Sequence, residues 1–242
     1  MNKAHTHGTH ETGHSAHKNV FTDELNNHFR FTILAVFIAA VLIIISKYTF
    51  LQKGNSGSVS EDLFEGFFIS HLFFASLTPA ALFSKYGKGM LIGLGIAIAT
   101  SAITCSLSDV FFPYLGGLLL NYTMEFHLCV IDEPVLAWSF IISGAVIGYF
   151  LTNSVRKLSR YTHTAHILLS SLAAGLYLVS YGAGMLSVKA LLFIPILIIS
   201  VLVPCVMNDI GVPSLIVSAS AKTDDKNKML EKIHHEHHGH DH

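Results

Sequence analysis

Between Cys105 and Glu133 the chain reads C-S-L-S-D-V-F-F-P-Y-L-G-G-L-L-L-N-Y-T-M-E-F-H-L-C-V-I-D-E. The stretch holds two of the three cysteines, one histidine and four carboxylates, and no Lys or Arg. Thiolate, imidazole and carboxylate together suit a cation such as Zn, Ni, Co or Fe better than Mg or Ca. Cys105 and Asp109 are four residues apart and share a helical face. Glu125, His127 and Cys129 alternate, so an extended segment points all three the same way. Asp132 and Glu133 stand just before Pro134, where they serve equally well as a helix start.

Further donors lie outside this stretch. His71 sits inside an apolar run, where an ionisable side chain is costly in a bilayer and marks a candidate ligand or gate. His163 and His166 are three apart, and Cys205 and Asp209 four apart, so each pair shares a helical face. Near the N-terminus stand His5, His7, His10, His14 and His17, and at the C-terminus His234, His235, His237, His238, His240 and His242. The C-terminal run is interrupted by Glu, Gly and Asp and has an N-terminal counterpart, so it reads as a native metal-binding tail rather than a purification tag. Such imidazoles are mostly uncharged at neutral pH. On flexible segments they would buffer or sense several ions weakly, because chelation costs them entropy.

The elements that must position these groups follow from composition. The 242 residues are 51% hydrophobic and only 13% charged, where soluble domains carry about 25% charged residues. This points to an all-α polytopic membrane protein, too short for a second sizeable domain. No basic surface suggests nucleic acid, and three cysteines make no disulfide framework. The chain opens on 28 polar, His-rich residues and so does not resemble a cleavable signal peptide.

A spanning helix needs about 20 mostly apolar residues. Six segments qualify: 30–50, 64–84, 89–108, 134–152, 165–186 and 189–207. Residues 110–120 are apolar but too short to cross; beside Pro113 and Gly116-Gly117 they are read as a re-entrant segment between spans 3 and 4. Pro204 is expected to bend or break span 6. Small residues such as Gly144 and Gly148 are expected to let helices pack closely. Residues 1–28 and 211–242 are read as disordered tails, the first His-rich and the second ending in a His-rich run, around a bundle over 29–210. Six spans place 12 of the 15 Lys and Arg on the side of the tails, which predicts two cytoplasmic termini in the inner membrane. This topology puts His71, Cys105, Asp109, Glu125, His127, Cys129, Asp132 and Glu133 on or near the outer side, together with Glu65. It puts His163, His166, Cys205 and Asp209 at the cytoplasmic mouth.

The expected function is a transition-metal transporter or permease of the cytoplasmic membrane, with the ion as substrate or ligand and its identity open. The chain is not expected to be an enzyme. An intramembrane zinc hydrolase is one alternative, but no H-E-x-x-H occurs; a non-transporting metal sensor or accessory subunit is the other. No P-loop is present, so transport would need a gradient, channel-like flow or a separate energising subunit. The remaining expected partners are the lipid bilayer and further copies of the chain.

Overall fold

A computed structural model describes residues 12–46, 56–86, 89–152, 159–182 and 192–208. The described residues are all-α apart from one isolated bridge, Met124 to Gly182. In chain order the helices are α1 (Thr12–Ser46), α2 (Ser56–Tyr86), α3 (Met90–Ser106), a π-helical turn (Leu107–Phe111), α4 (Phe112–Leu119), the short α5 (Cys129–Asp132), α6 (Pro134–Phe150), α7 (Ser159–Tyr181) and α8 (Phe193–Val206). Among the described residues four stretches are long and apolar enough to cross a membrane: His28–Ser46, Val59–Ser84, Met90–Leu119 and Tyr161–Tyr181. Two shorter apolar helices, Pro134–Phe150 and Phe193–Val206, complete a multi-pass membrane bundle. In a bilayer only elements that satisfy their own backbone hydrogen bonds are tolerated, which is why apolar runs of this length become helices.

Side-chain neighbours fix the helix directions. Phe64 meets Tyr181 while His71 meets His166, so α2 and α7 are antiparallel. His28 meets His163, and a Cβ on Gly175 would meet Ile43, so α1 runs parallel to α7. Gly93 of α3 faces Phe83, and Gly144 and Gly148 of α6 face Phe73, Ser76 and Leu77. α1 and α7 therefore run opposite to α2, and α6 runs the same way as α2. The outer faces of the helices carry large apolar side chains, among them Phe37, Leu91, Ile92, Ile103 and Phe150, as lipid contact requires.

Three expectations change. Residues 110–120 do not fold back, because Met90–Leu119 is one continuous 30-residue helical stretch. A π turn at Leu107–Phe111 joins α3 to α4. Pro113 supplies the reason: it has no N–H for the Asp109 carbonyl and its ring would press on that carbonyl, which a wider turn relieves. Pro204 does not break the last span, since α8 runs through it to Val206. The N-terminal segment is helical from Thr12 on. Residues 14–28 contain no Gly or Pro, and extending a formed helix is far easier than nucleating one.

Glycine governs the α2–α6 contact. A Cβ on Gly148 would overlap the backbone carbonyl of Leu77, and one on Gly144 that of Phe73. Backbone cannot move aside as a flexible side chain does, so Gly148→Ala is expected to cost about 1–3 kcal/mol. Gly95→Ala, with nothing within 4 Å, serves as the neutral control. Thermal unfolding in detergent checks both; a Gly148→Ala protein that melts with the wild type would refute the close approach.

Candidate metal centre

Three helices meet around His71. It is the thirteenth residue of the 26-residue apolar stretch Val59–Ser84, so it lies at mid-span, about 18 Å along the axis from either end. Its Nδ1 is 2.5 Å from Asp109 Oδ2. The other carboxylate oxygen, Oδ1, accepts from Ser108 Oγ and Ser170 Oγ, each at 2.6 Å. A carboxylate accepting from Nδ1–H places the imidazole lone pair on Nε2, the arrangement that orients metal-ligating histidines. The π turn matters here, because it presents Ser108, Asp109 and Val110, three consecutive residues, to the interior. π turns inside α-helices are frequent at functional sites.

Nε2 of His71 looks into a pocket of soft donors. His166 Nε2 is 3.4 Å away, and Cys105 Sγ is 3.7 Å away. The ligand atoms of His71, His166 and Cys205 all lie within 4.8 Å of one another. A tetrahedral ion with metal–nitrogen bonds of about 2.0–2.1 Å and metal–sulfur bonds of about 2.3 Å spaces two nitrogens by about 3.4 Å and a nitrogen and a sulfur by about 3.5 Å. The pairs on His71 match this spacing, and Cys205 lies within a small inward movement of it. His71, His166, Cys105, Cys205 and Asp109 are each no more than 5% exposed.

Cys205 reaches this depth through a proline elsewhere. Pro79 in α2 has no N–H, so the Ala75 carbonyl lacks its ordinary helical donor. Asn208 Nδ2 donates to that carbonyl at 3.4 Å. The bond pins the end of α8 one turn from His71 and holds Cys205 beside the imidazoles.

The division into an outer and an inner cluster is therefore corrected. His71, Cys105 and Asp109 from the one, and His166 and Cys205 from the other, form a single buried centre. Helix length is the reason: α7 begins at Ser159, before the apolar run at 165, so His166 lies two turns inside the helix rather than at its mouth. His163 sits one turn from the centre with its ring edge-on to His28, centroids 4.5 Å apart. His28 is itself buried, although by composition it belongs with the polar N-terminal residues.

A second group gathers where α2 begins. His127 Nδ1 is 3.1 Å from Asp132 Oδ2, which also accepts the Leu128 N–H at 2.7 Å. His127 Nε2 faces Cys129 Sγ at 3.6 Å and Glu65 Oε1 at 3.9 Å. The expected alignment of Glu125, His127 and Cys129 on one extended face does not form, because Cys129 opens α5 and is buried whereas Glu125 is exposed. Glu125 contributes backbone: its carbonyl accepts from Tyr177 OH at 2.9 Å and its N–H donates to Tyr181 at 2.9 Å. Glu133 precedes Pro134 at the start of α6, its carbonyl accepting from Ala137 N–H at 3.1 Å. Burial first, and the Glu65 carboxylate second, push the Cys129 thiol up to about 12.

Asp209, His5, His7, His10 and the six C-terminal histidines lie outside the described residues, and His14 and His17 fall in the first turns of α1. Sequence reasoning passes over Ser108 and Ser170 and gives Asn208, beside Asp209, no role of its own. A polar residue within an apolar span was the available signal for the serines, and Pro79 was the signal that something must satisfy Ala75.

No protein-family model matches the chain, and no curated protein or solved structure is detectably similar to it.

Proposed function

We propose that this membrane protein is a transition-metal permease whose substrate passes through the His71–His166–Cys205 centre. One observation carries this: two Nε2 atoms 3.4 Å apart and two thiols, buried together inside the bundle at the level of His71, the middle of its own span. Buried ionisable groups in a bilayer are costly and mark substrate pathways or proton relays. Thiol plus imidazole favours Zn, Co, Ni or Fe over harder cations. Asp109 already accepts from His71, Ser108 and Ser170, so it is poorly placed as a general base. That favours binding and passage over hydrolysis and supports reading the chain as a non-enzyme. The Lys and Arg distribution supports two cytoplasmic termini in a cytoplasmic membrane, where the His-rich tails would buffer or sense the ion.

The test is flux. Proteoliposomes holding the full chain and an entrapped metal indicator are expected to take up Zn or Co faster than protein-free vesicles. Removing residues 1–11 and 229–242 is expected to change the apparent affinity and leave the flux in place. Stoichiometric binding without any flux would replace transport with a sensor or an accessory subunit.

A further inference from the structure

We infer a second cation site, in series with the first, formed by Glu65 Oε1, His127 Nε2 and Cys129 Sγ at the end of the bundle where α2 begins. It rests on the proposed role of the buried centre only for the direction of passage; its own geometry stands apart. The same device appears twice. At the buried centre a carboxylate holds Nδ1 of His71 while Nε2 faces a thiol at 3.7 Å. At this end Asp132 holds Nδ1 of His127 while Nε2 faces a thiol at 3.6 Å. Both distances fit a nitrogen and a sulfur bound to one tetrahedral ion, spaced by about 3.5 Å. Glu65 Oε1, at 3.9 Å from Nε2, is the third donor and closes on an ion by rotation of its side chain.

The ring of His127 is fixed. It stacks on Tyr181, with centroids 5.0 Å apart and planes 15° apart, and the edge of Phe64 meets it. Its donors come from three separate elements: α2, the extended segment before α5, and α5. The two sites differ in access. The side chains of His127 and Glu65 are 23% and 31% exposed, whereas that of His71 is 1% exposed. A cation from water therefore meets the partly exposed His127 and Glu65 first, with the fully buried Cys129 behind them. Glu65 and His71 are six residues apart on α2, about 9 Å along the axis. Phe64, Phe68 and Tyr177, all fully buried, pack together beside this group, Phe64 against both His127 and Tyr177. Tyr177 OH donates to the Glu125 carbonyl and accepts from His127 N–H at 3.4 Å. Tyr177 is thus tied to the segment that carries His127.

Cobalt separates the two sites, because a thiolate bound to Co(II) gives a charge-transfer band and the tails contain no cysteine. The full chain is titrated with Co(II) as wild type, as Cys129→Ser and as Cys105→Ser/Cys205→Ser. The double variant is expected to keep a thiolate band that disappears when His127→Ala is added. Absence of a band in the double variant, with a band retained in Cys129→Ser, would overturn the second site and leave the buried centre standing. A band in the double variant alone would uphold the second site and remove the buried centre. Loss in both would remove both. Should a variant fail to fold, the wild type decides: at Co(II) about ten times its dissociation constant, alkylation of Cys129 followed by peptide mass spectrometry is expected to slow about tenfold. An unchanged rate overturns the site.

Discussion

Metal flux is expected to fall to the protein-free background in His166→Ala. Binding at the buried centre should weaken by more than about 100-fold, since loss of a group that only orients a ligand already costs about 10–100-fold. The reason is geometric. His71 Nε2 and His166 Nε2 stand 3.4 Å apart, so one ion can bridge them without moving a helix. Without the second imidazole the remaining nitrogen and the thiols must hold a divalent cation in a buried site with one fewer ligand. Affinity is read from the thiolate–cobalt band of a protein whose remaining thiols are Cys105 and Cys205, and flux from the entrapped indicator. His166 is 5% exposed, so its removal also leaves a cavity, and unfolding temperature must be followed alongside. Wild-type flux in a folded His166→Ala protein would take the centre out of the pathway.

Asp109 separates orientation from fold. Asp109→Asn keeps the shape and one acceptor oxygen. If that oxygen stays with Ser108 and Ser170, the amide NH₂ faces His71 Nδ1 and donates to it. The imidazole proton then moves to Nε2, the atom that faces His166 and Cys105. Cation affinity is expected to drop about 10–100-fold while stability changes little. Asp109→Ala differs in kind. It leaves the donors of His71, Ser108 and Ser170 without their acceptor in the bundle interior, at about 1–3 kcal/mol for each unsatisfied group. A clear fall in unfolding temperature is expected for Asp109→Ala and a much smaller one for Asp109→Asn. Equal affinity of Asp109→Asn and wild type would show that the carboxylate does not set the tautomer of His71.

Local spacing made part of the site legible. Cys105 and Asp109 share a helical face at i, i+4, and His127 lies two residues from Cys129, so each pair was visible before any fold was known. The re-entrant expectation failed because a π turn has no strong sequence mark beyond Pro113. The helix absorbed that proline and carried on through Leu119. His28 was grouped with the tail because its neighbours are polar, yet the helix that contains it packs against α7 and buries it.

By itself the sequence determined the material and which donors were on offer. Long apolar runs must become helices, since a bilayer offers no other donors or acceptors to the backbone, and the thiols, imidazoles and carboxylates are the donor types on which the proposed transition-metal reading rests. Only the tertiary structure decided which donors meet. His71 joins Asp109 across 38 residues and His166 across 95, and no local period relates positions so far apart. Those meetings depend on helix length, on a π turn that aims Asp109 inward, and on a carbonyl freed by Pro79 that Asn208 occupies. Each depends on packing between helices, which is why members of two clusters expected on opposite sides of the membrane meet in one buried group.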